Sequence, residues 1–204
     1  MLAIGLSLHG CGNRSNKTES STEATPKEGQ ISGRTYLVLQ NPPVEQNDNL
    51  LRGNSSIVFN DPLGEINSAK NIDLTFNLEE GQTLQLITHC DNKLTNGVHI
   101  VLSRAKNLLK IETVVDGKHS PTARLKMVSD SEPIRLFIDV HNDEDQTHVL
   151  VWDKVEKFPS EDNALFNSGV DGETQGKGKG RFWGMILGDA TVRSVFVDDA
   201  LFEH

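Results

Sequence analysis

The sequence predicts an all-β domain, a sandwich or barrel of short antiparallel strands. Three observations carry this expectation. From Arg34 onward, β-branched and aliphatic residues recur with a period of two, the pattern of a strand with one buried face. Turn residues separate these runs at short intervals. No segment shows the 3.6-residue periodicity of an amphipathic helix, Asp162 to Phe166 offering a single turn at most. About eleven short strands at this spacing make a sandwich or barrel.

Taken in order, the first runs are Thr35–Gln40 and Ser56–Asn60, separated by the Pro42-Pro43 break. Asp61-Pro62 ends the second, and Asn71–Leu78 follows. Thr83–Cys90 alternates cleanly, as do Val98–Ser103 and Leu108–Val115. Asp116-Gly117 then supplies a hairpin turn, because both central positions of a type I′ turn require positive φ. Past Ser120-Pro121 come Thr122–Val128, Ile134–His141 and Thr147–Asp153. Residues 153–180 form a long loop: Lys154 to Phe158 has an ordered pattern, whereas Gly169, Gly172, Gly176, Gly178 and Gly180 loosen the rest. Gly176-Lys177-Gly178-Lys179-Gly180 lacks the Gly-Lys-Ser/Thr end of a phosphate loop and reads as a solvated hinge. Phe182–Leu187 and Val192–Val197 complete the set.

The chain has 204 residues, of which 36% are hydrophobic, enough for one buried domain with a polar tail. A net charge of -9 argues against nucleic acid as a partner, since phosphate binding needs a basic face. No apolar run reaches the ~20 residues of a spanning helix, so any membrane attachment is by an anchor.

The N-terminus supplies an anchor. Leu2 to Leu8 is a short apolar run, followed by His9-Gly10-Cys11 and an abrupt change to polar residues. Leu8-His9-Gly10-Cys11 resembles the lipobox of bacterial lipoproteins. That resemblance implies a lipid on Cys11, attachment to a membrane of the bacterial cell envelope and, with Gly12 after the cysteine, the outer membrane. His9 departs from the small residue usual at its position. The missing basic n-region places the true start upstream or implies a trimmed leader. Residues 12–33 read as a flexible polar tether, with a reach on the order of 25 Å. The single domain then spans 34–204. With Cys11 lipidated, Cys90 has no disulfide partner and is expected to point inward as a small hydrophobe.

Ile134 to Asn142, a turn, and Thr147 to Asp153 resemble the central hairpin of concanavalin A-like jelly rolls. So does Gly180 to Gly188 followed by Val192 to Val197. That family includes laminin G-like modules, legume lectins and glucanases, and the resemblance implies a β-sandwich. The closing Val195 to Leu201 is also similar to the last strand of galactose-binding-like jelly rolls, the alternative family. Enzymes of the concanavalin A-like group carry Glu-x-Asp-x-x-Glu or a close variant on one strand face, with carboxyl groups ~5–5.5 Å apart. No such run occurs here, and the expectation is a binding module rather than an enzyme.

Alternation divides the central hairpin into two sides. Ile134, Leu136, Ile138, Val140, Val149 and Val151 form the core side. Arg135, Phe137, Asp139, His141, His148, Leu150 and Trp152 share the other, with His141 facing His148, Asp139 facing Leu150 and Phe137 facing Trp152. Rings beside charged groups make a sugar platform, so Arg135, Phe137, Asp139, His141, His148 and Trp152 are the candidate ligand-binding residues. The competing reading packs Phe137, Leu150 and Trp152 under the long loop, with Arg135 and Asp139 as a surface ion pair.

No metal is expected. The pairs His89/His99 and His141/His148 could each meet across strands, but two imidazoles make a weak zinc site. Calcium at Asp143-Glu144-Asp145 or Asp198-Asp199 is implied by the resemblance, against a solvated acidic turn. The functional expectation is a lipid-anchored module facing the periplasm or the cell exterior and binding carbohydrate through the mixed face. Its rivals are a scaffolding lipoprotein that binds another envelope protein, and a glycoside hydrolase.

Overall fold

A computed structural model describes residues 27–47, 49–63, 70–115, 117–126, 132–143, 146–153, 161–171 and 181–199. Cys11 and the 12–26 part of the tether lie outside these residues. So do Glu144, Asp145 and the glycine-rich 172–180 stretch.

The chain forms a β-sandwich of antiparallel strands, folded from one hydrogen-bonded network that curls back on itself. The first layer contains β2 (Arg34–Gln40), β4 (Leu50–Phe59), the first half of β14 (Phe182–Asp199), β6 (Thr83–Cys90), β7 (Val98–Ala105), β8 (Leu108–Val115) and β10 (Ala123–Lys126). Short β1 (Glu28–Ile31), β3 (Glu45–Asn47) and β9 (Lys118–His119) flank it, on β2, β4 and β8. The second layer runs from the latter half of β14 through β5 (Lys70–Asn77), β11 (Ile134–Asp143) and β12 (Gln146–Trp152) to β13 (Phe166–Asp171). One core cluster joins the layers, drawing Leu84, Leu86, Ile100 and Ile111 from the first and Ile72, Leu74, Leu136 and Val149 from the second. The apolar face of each sheet is thereby removed from water against the other.

β14 crosses between the layers. Its first half pairs with β4 and β6, and its second half with β5, the register slipping at a bulge around Asp189, whose φ is 63°. Two glycines permit the crossing. A Cβ on Gly184 would clash with the Ile57 carbonyl, and one on Gly188 with the Thr83 hydroxyl. The sequence pattern splits this strand in two because the corner residues Gly188-Asp189-Ala190 interrupt the alternation.

The structure departs from the sequence reading at several points, including β4, which begins at Leu50 rather than Ser56. Glu28–Ile31 is a strand rather than tether, turned onto β2 by Ser32-Gly33, both with positive φ, and it buries Ile31 completely. Part of the expected 153–180 loop is β13, held by pairing along β12, with Glu161–Asn163 as a single 3-10 turn before it. Cys90 is buried as expected, but in a satellite cluster with Val58, Ile87 and Leu94 rather than in the main core. His89 is the cause: its left-handed φ of 52° turns the strand before the cysteine. Burial pushes the Cys90 thiol up to about 12, with the Asp91 carboxylate adding to the shift.

Candidate functional site

The central hairpin forms in the predicted register, Phe137 opposite Trp152, Asp139 opposite Leu150 and His141 opposite His148. The six candidate residues therefore share one face. Its aromatic part is closed, while the Arg135 side chain stays 59% exposed and His148 half-buried. Relative exposure is 9% at Phe137, 4% at Trp152, 6% at His141 and 0% at Asp139, so no sugar can stack on either ring. Ala164 packs on Phe137, Leu150 and Trp152, and the Trp152 indole N–H donates to Asn163 Oδ1 at 3.0 Å. The segment before β13 is the lid that the sequence left open as an alternative.

The predicted ion pair is also re-partnered. Arg135 donates from Nε and Nη2 to Asp73 on β5 at 2.9 and 2.5 Å, and its guanidinium lies 4.8 Å from the Phe137 ring centroid. Asp139 instead accepts from His141 Nδ1 at 2.6 Å. Cross-strand order explains the exchange, because Thr75 stands opposite Arg135 and Asp73 opposite Phe137, within diagonal reach of the long guanidinium.

An open groove lies on the outer face of the other layer. Its floor is Gln85 of β6, His99 and Val101 of β7 and Val114 of β8, with Gln85 opposite Val101 and His99 opposite Val114. These positions alternate with the core residues Leu84, Leu86, Ile100, Leu102 and Val115, which is why they face outward. Thr95, Asn96 and Gly97 wall one side and Gly117 of the β8–β9 hairpin another, enclosing about 550 Å³.

The wall is preordered. Asp91 Oδ1 accepts from the backbone N–H groups of Lys93 and Thr95, both at 3.0 Å. Asp91 Oδ2 accepts from the Thr95 hydroxyl and, at 3.2 Å, from the Asn96 amide. Leu94 pins the loop from beneath, buried against Val58, Ile87 and Cys90. Gly97 is required at its place: its φ is 117°, and a Cβ there would strike the Thr88 carbonyl. Burial would raise the Asp91 carboxyl, but the Thr95, Lys93 and Asn96 hydrogen bonds outweigh it and hold the group below the usual aspartate range. Burial lowers the His99 pKa, so its imidazole is neutral at pH 7 and offers one donor and one acceptor nitrogen.

No protein-family model matches the sequence, and no curated protein matches it. Solved structures do match. The carbohydrate-binding module CBM66 from Bacillus subtilis is 12% identical, with a TM-score of 0.51, over 80% of this chain and 95% of that one. The exoplasmic/lumenal domain of VIP36, in its Ca2+/Man3GlcNAc-bound form, is also 12% identical, with a TM-score of 0.52, over 86% of this chain and 89% of that one. The fold is a lectin-like jelly roll. At this identity the likeness is one of architecture, and it bears out the expected β-sandwich jelly roll.

The histidine pairs divide. His141 and His148 do meet, as stacked rings. His89 and His99 do not face each other, because His99 pairs with Ile87 and Val98 with Thr88. Among the described residues no group of three or more His, Cys, Asp or Glu is placed to hold a metal ion. The suggested calcium loop falls at Glu144 and Asp145, outside the described residues, and the Asp198 and Asp199 side chains are outside them too.

Sequence reasoning missed the groove. The signal was present in the outward set His99, Val101 and Ser103 on β7, read beside Gln85 and Val114. No aromatic residue marked it, and no motif in the sequence drew attention to Asp91–Gly97.

Proposed function

We propose that this chain is a carbohydrate-binding module, held to a bacterial envelope membrane by a lipid on Cys11, and that it takes its glycan in the Gln85/His99 groove. The observation that carries this reading is the preordered polar wall, Thr95 and Asn96 locked by Asp91, standing over a floor of one amide, one imidazole and two valines. Fixed donors and acceptors bind sugar hydroxyls without paying to order themselves first. The lectin-like architecture supports the reading, as do the names of the two matching structures, one a carbohydrate-binding module and the other a domain with Man3GlcNAc bound. Among the described residues, none that lines the groove is a carboxylate, which favours holding a glycoside over cleaving it.

Affinity electrophoresis through a panel of soluble polysaccharides tests the site. Retardation that disappears in Gln85→Ala and His99→Ala but persists in Trp152→Phe supports the groove. Retardation lost only in Trp152→Phe returns the site to the β11–β12 face. Absence of retardation by any polysaccharide, with an envelope protein captured by crosslinking, favours the scaffolding alternative. For the anchor, radiolabelled palmitate should enter the wild-type chain and not Cys11→Ser, and label in the serine variant would refute it.

A further inference from the structure

We propose that the groove selects uncharged glycans and rejects those bearing carboxylate or sulfate groups. The inference rests on the groove being a glycan site and narrows what that site accepts.

Its chemistry combines donors and acceptors. The Gln85 amide and the neutral His99 ring each carry both, while the Thr95 hydroxyl and the Asn96 amide, whose hydrogens go to Asp91 and Thr95, offer acceptor oxygens. A sugar hydroxyl is also donor and acceptor at once, so a neutral saccharide can satisfy these groups and be satisfied by them. A carboxylate or sulfate only accepts. Placed here, it would strip water from its charge and meet no cation, because neither lysine nor arginine is among the described residues that line the groove. The Thr95 hydroxyl and the Asn96 amide, with their hydrogens already given to Asp91 and Thr95, would have no donor to turn toward the anion.

The surroundings work in the same direction. Asp91 stands behind the wall with its carboxylate committed to Lys93, Thr95 and Asn96. Glu112 lies opposite Val101 on the same outward row, engaged by His119 at 2.7 Å. The whole chain carries a net charge of -9, which repels polyanions before contact. Val101 and Val114 complete the floor with C–H surface, which a pyranose or furanose ring can cover but a charged group gains nothing from.

The test is a matched pair of ligands. A neutral polysaccharide that retards the wild-type chain is partly sulfated or carboxymethylated, keeping its backbone, and Kd is measured for both forms at 150 mM salt. The expected result is at least a ten-fold loss on adding charge. Val101→Lys should narrow that ratio to within two-fold by weakening the neutral form and admitting the anionic one. Thermal melting checks that this variant stays folded, and Gln85→Lys serves as the second cationic variant if Val101→Lys does not. Equal binding of both forms, abolished by His99→Ala, would overturn charge selection while leaving the glycan groove intact. Loss on charging that neither cationic variant alters would also overturn it, by placing the discrimination elsewhere. Binding of neutral polymers unaffected by Gln85→Ala and His99→Ala would remove the groove itself.

Discussion

The imidazoles of His141 and His148 face each other across the β11–β12 hairpin, 5.5 Å between ring centroids and 14° from parallel. His141 also donates to Asp139, a carboxylate with no exposed surface. Removing a hydrogen bond to a buried charged group costs about 1.5–3 kcal/mol. His141→Leu should lower the urea unfolding free energy by that amount. Glycan affinity should stay within two-fold, since the pair lies on the layer opposite the groove. A stability change under about 0.5 kcal/mol would class the contact with ordinary surface substitutions.

Stability should fall on acidification through His89. Burial lowers its pKa from 6.5 to about 4, the nearby Asp139 offsetting part of the effect. The unfolded chain therefore binds the proton first. The native state keeps its full advantage above pH 6.5 and loses it progressively as pH falls towards 4, by on the order of 3 kcal/mol. Denaturant midpoints measured from pH 7.5 to 4 give the slope. His89→Asn, which tolerates the left-handed φ of 52° at that position, should flatten it.

Trp152 is a packing residue in this structure. Trp152→Ala should cost about 3–5 kcal/mol by opening a cavity under Asn163 and Ala164. Trp152→Phe keeps most of the volume but loses the indole bond to Asn163 Oδ1. It should fold with a reduced melting temperature and bind polysaccharide like the wild type. Reduced affinity in the folded Phe variant would restore the ring to the binding site.

Asp91 acts on ligand through the wall it orders. Asp91→Ala frees Thr95 and Asn96, so association pays to order them, and each immobilised side chain costs about 0.5–1.5 kcal/mol. Glycan affinity should drop about five- to 150-fold, chiefly through faster dissociation. Asp91→Asn retains an acceptor oxygen for the Thr95 N–H and should recover part of the loss. An unchanged off-rate in the alanine variant would show the wall to be irrelevant to binding.

What could be read along the chain was whatever neighbouring residues decide. Thr83–Cys90 and Leu108–Val115 match β6 and β8 end to end, because strict alternation bounded by turn residues leaves little freedom. The β11–β12 pairing followed from a short loop and two one-sided apolar sets. β13 was hidden, since Asn167-Ser168-Gly169 has poor strand propensity and becomes a strand only by docking on β12. The closing of the Trp152 face depended on Asn163 and Ala164, whose position no local pattern states. The groove is a relation among three strands and a loop, visible only once β6, β7 and β8 lie side by side.

The passage of β14 through both layers sets a condition on biosynthesis. Met185 and Leu187 pair with Ile57 and Ser55 on one side and with Leu86 and Leu84 on the other, so the larger layer lacks its middle strand until Phe182–Asp199 has left the ribosome. Until then β4 and β6 carry apolar faces and unpaired edges with no native strand between them, a state open to aggregation and to chaperones. A nascent chain cut short before Phe182 is then more than a protein missing its end. It is a fragment with no route to the fold, and quality control rather than loss of affinity would decide its fate.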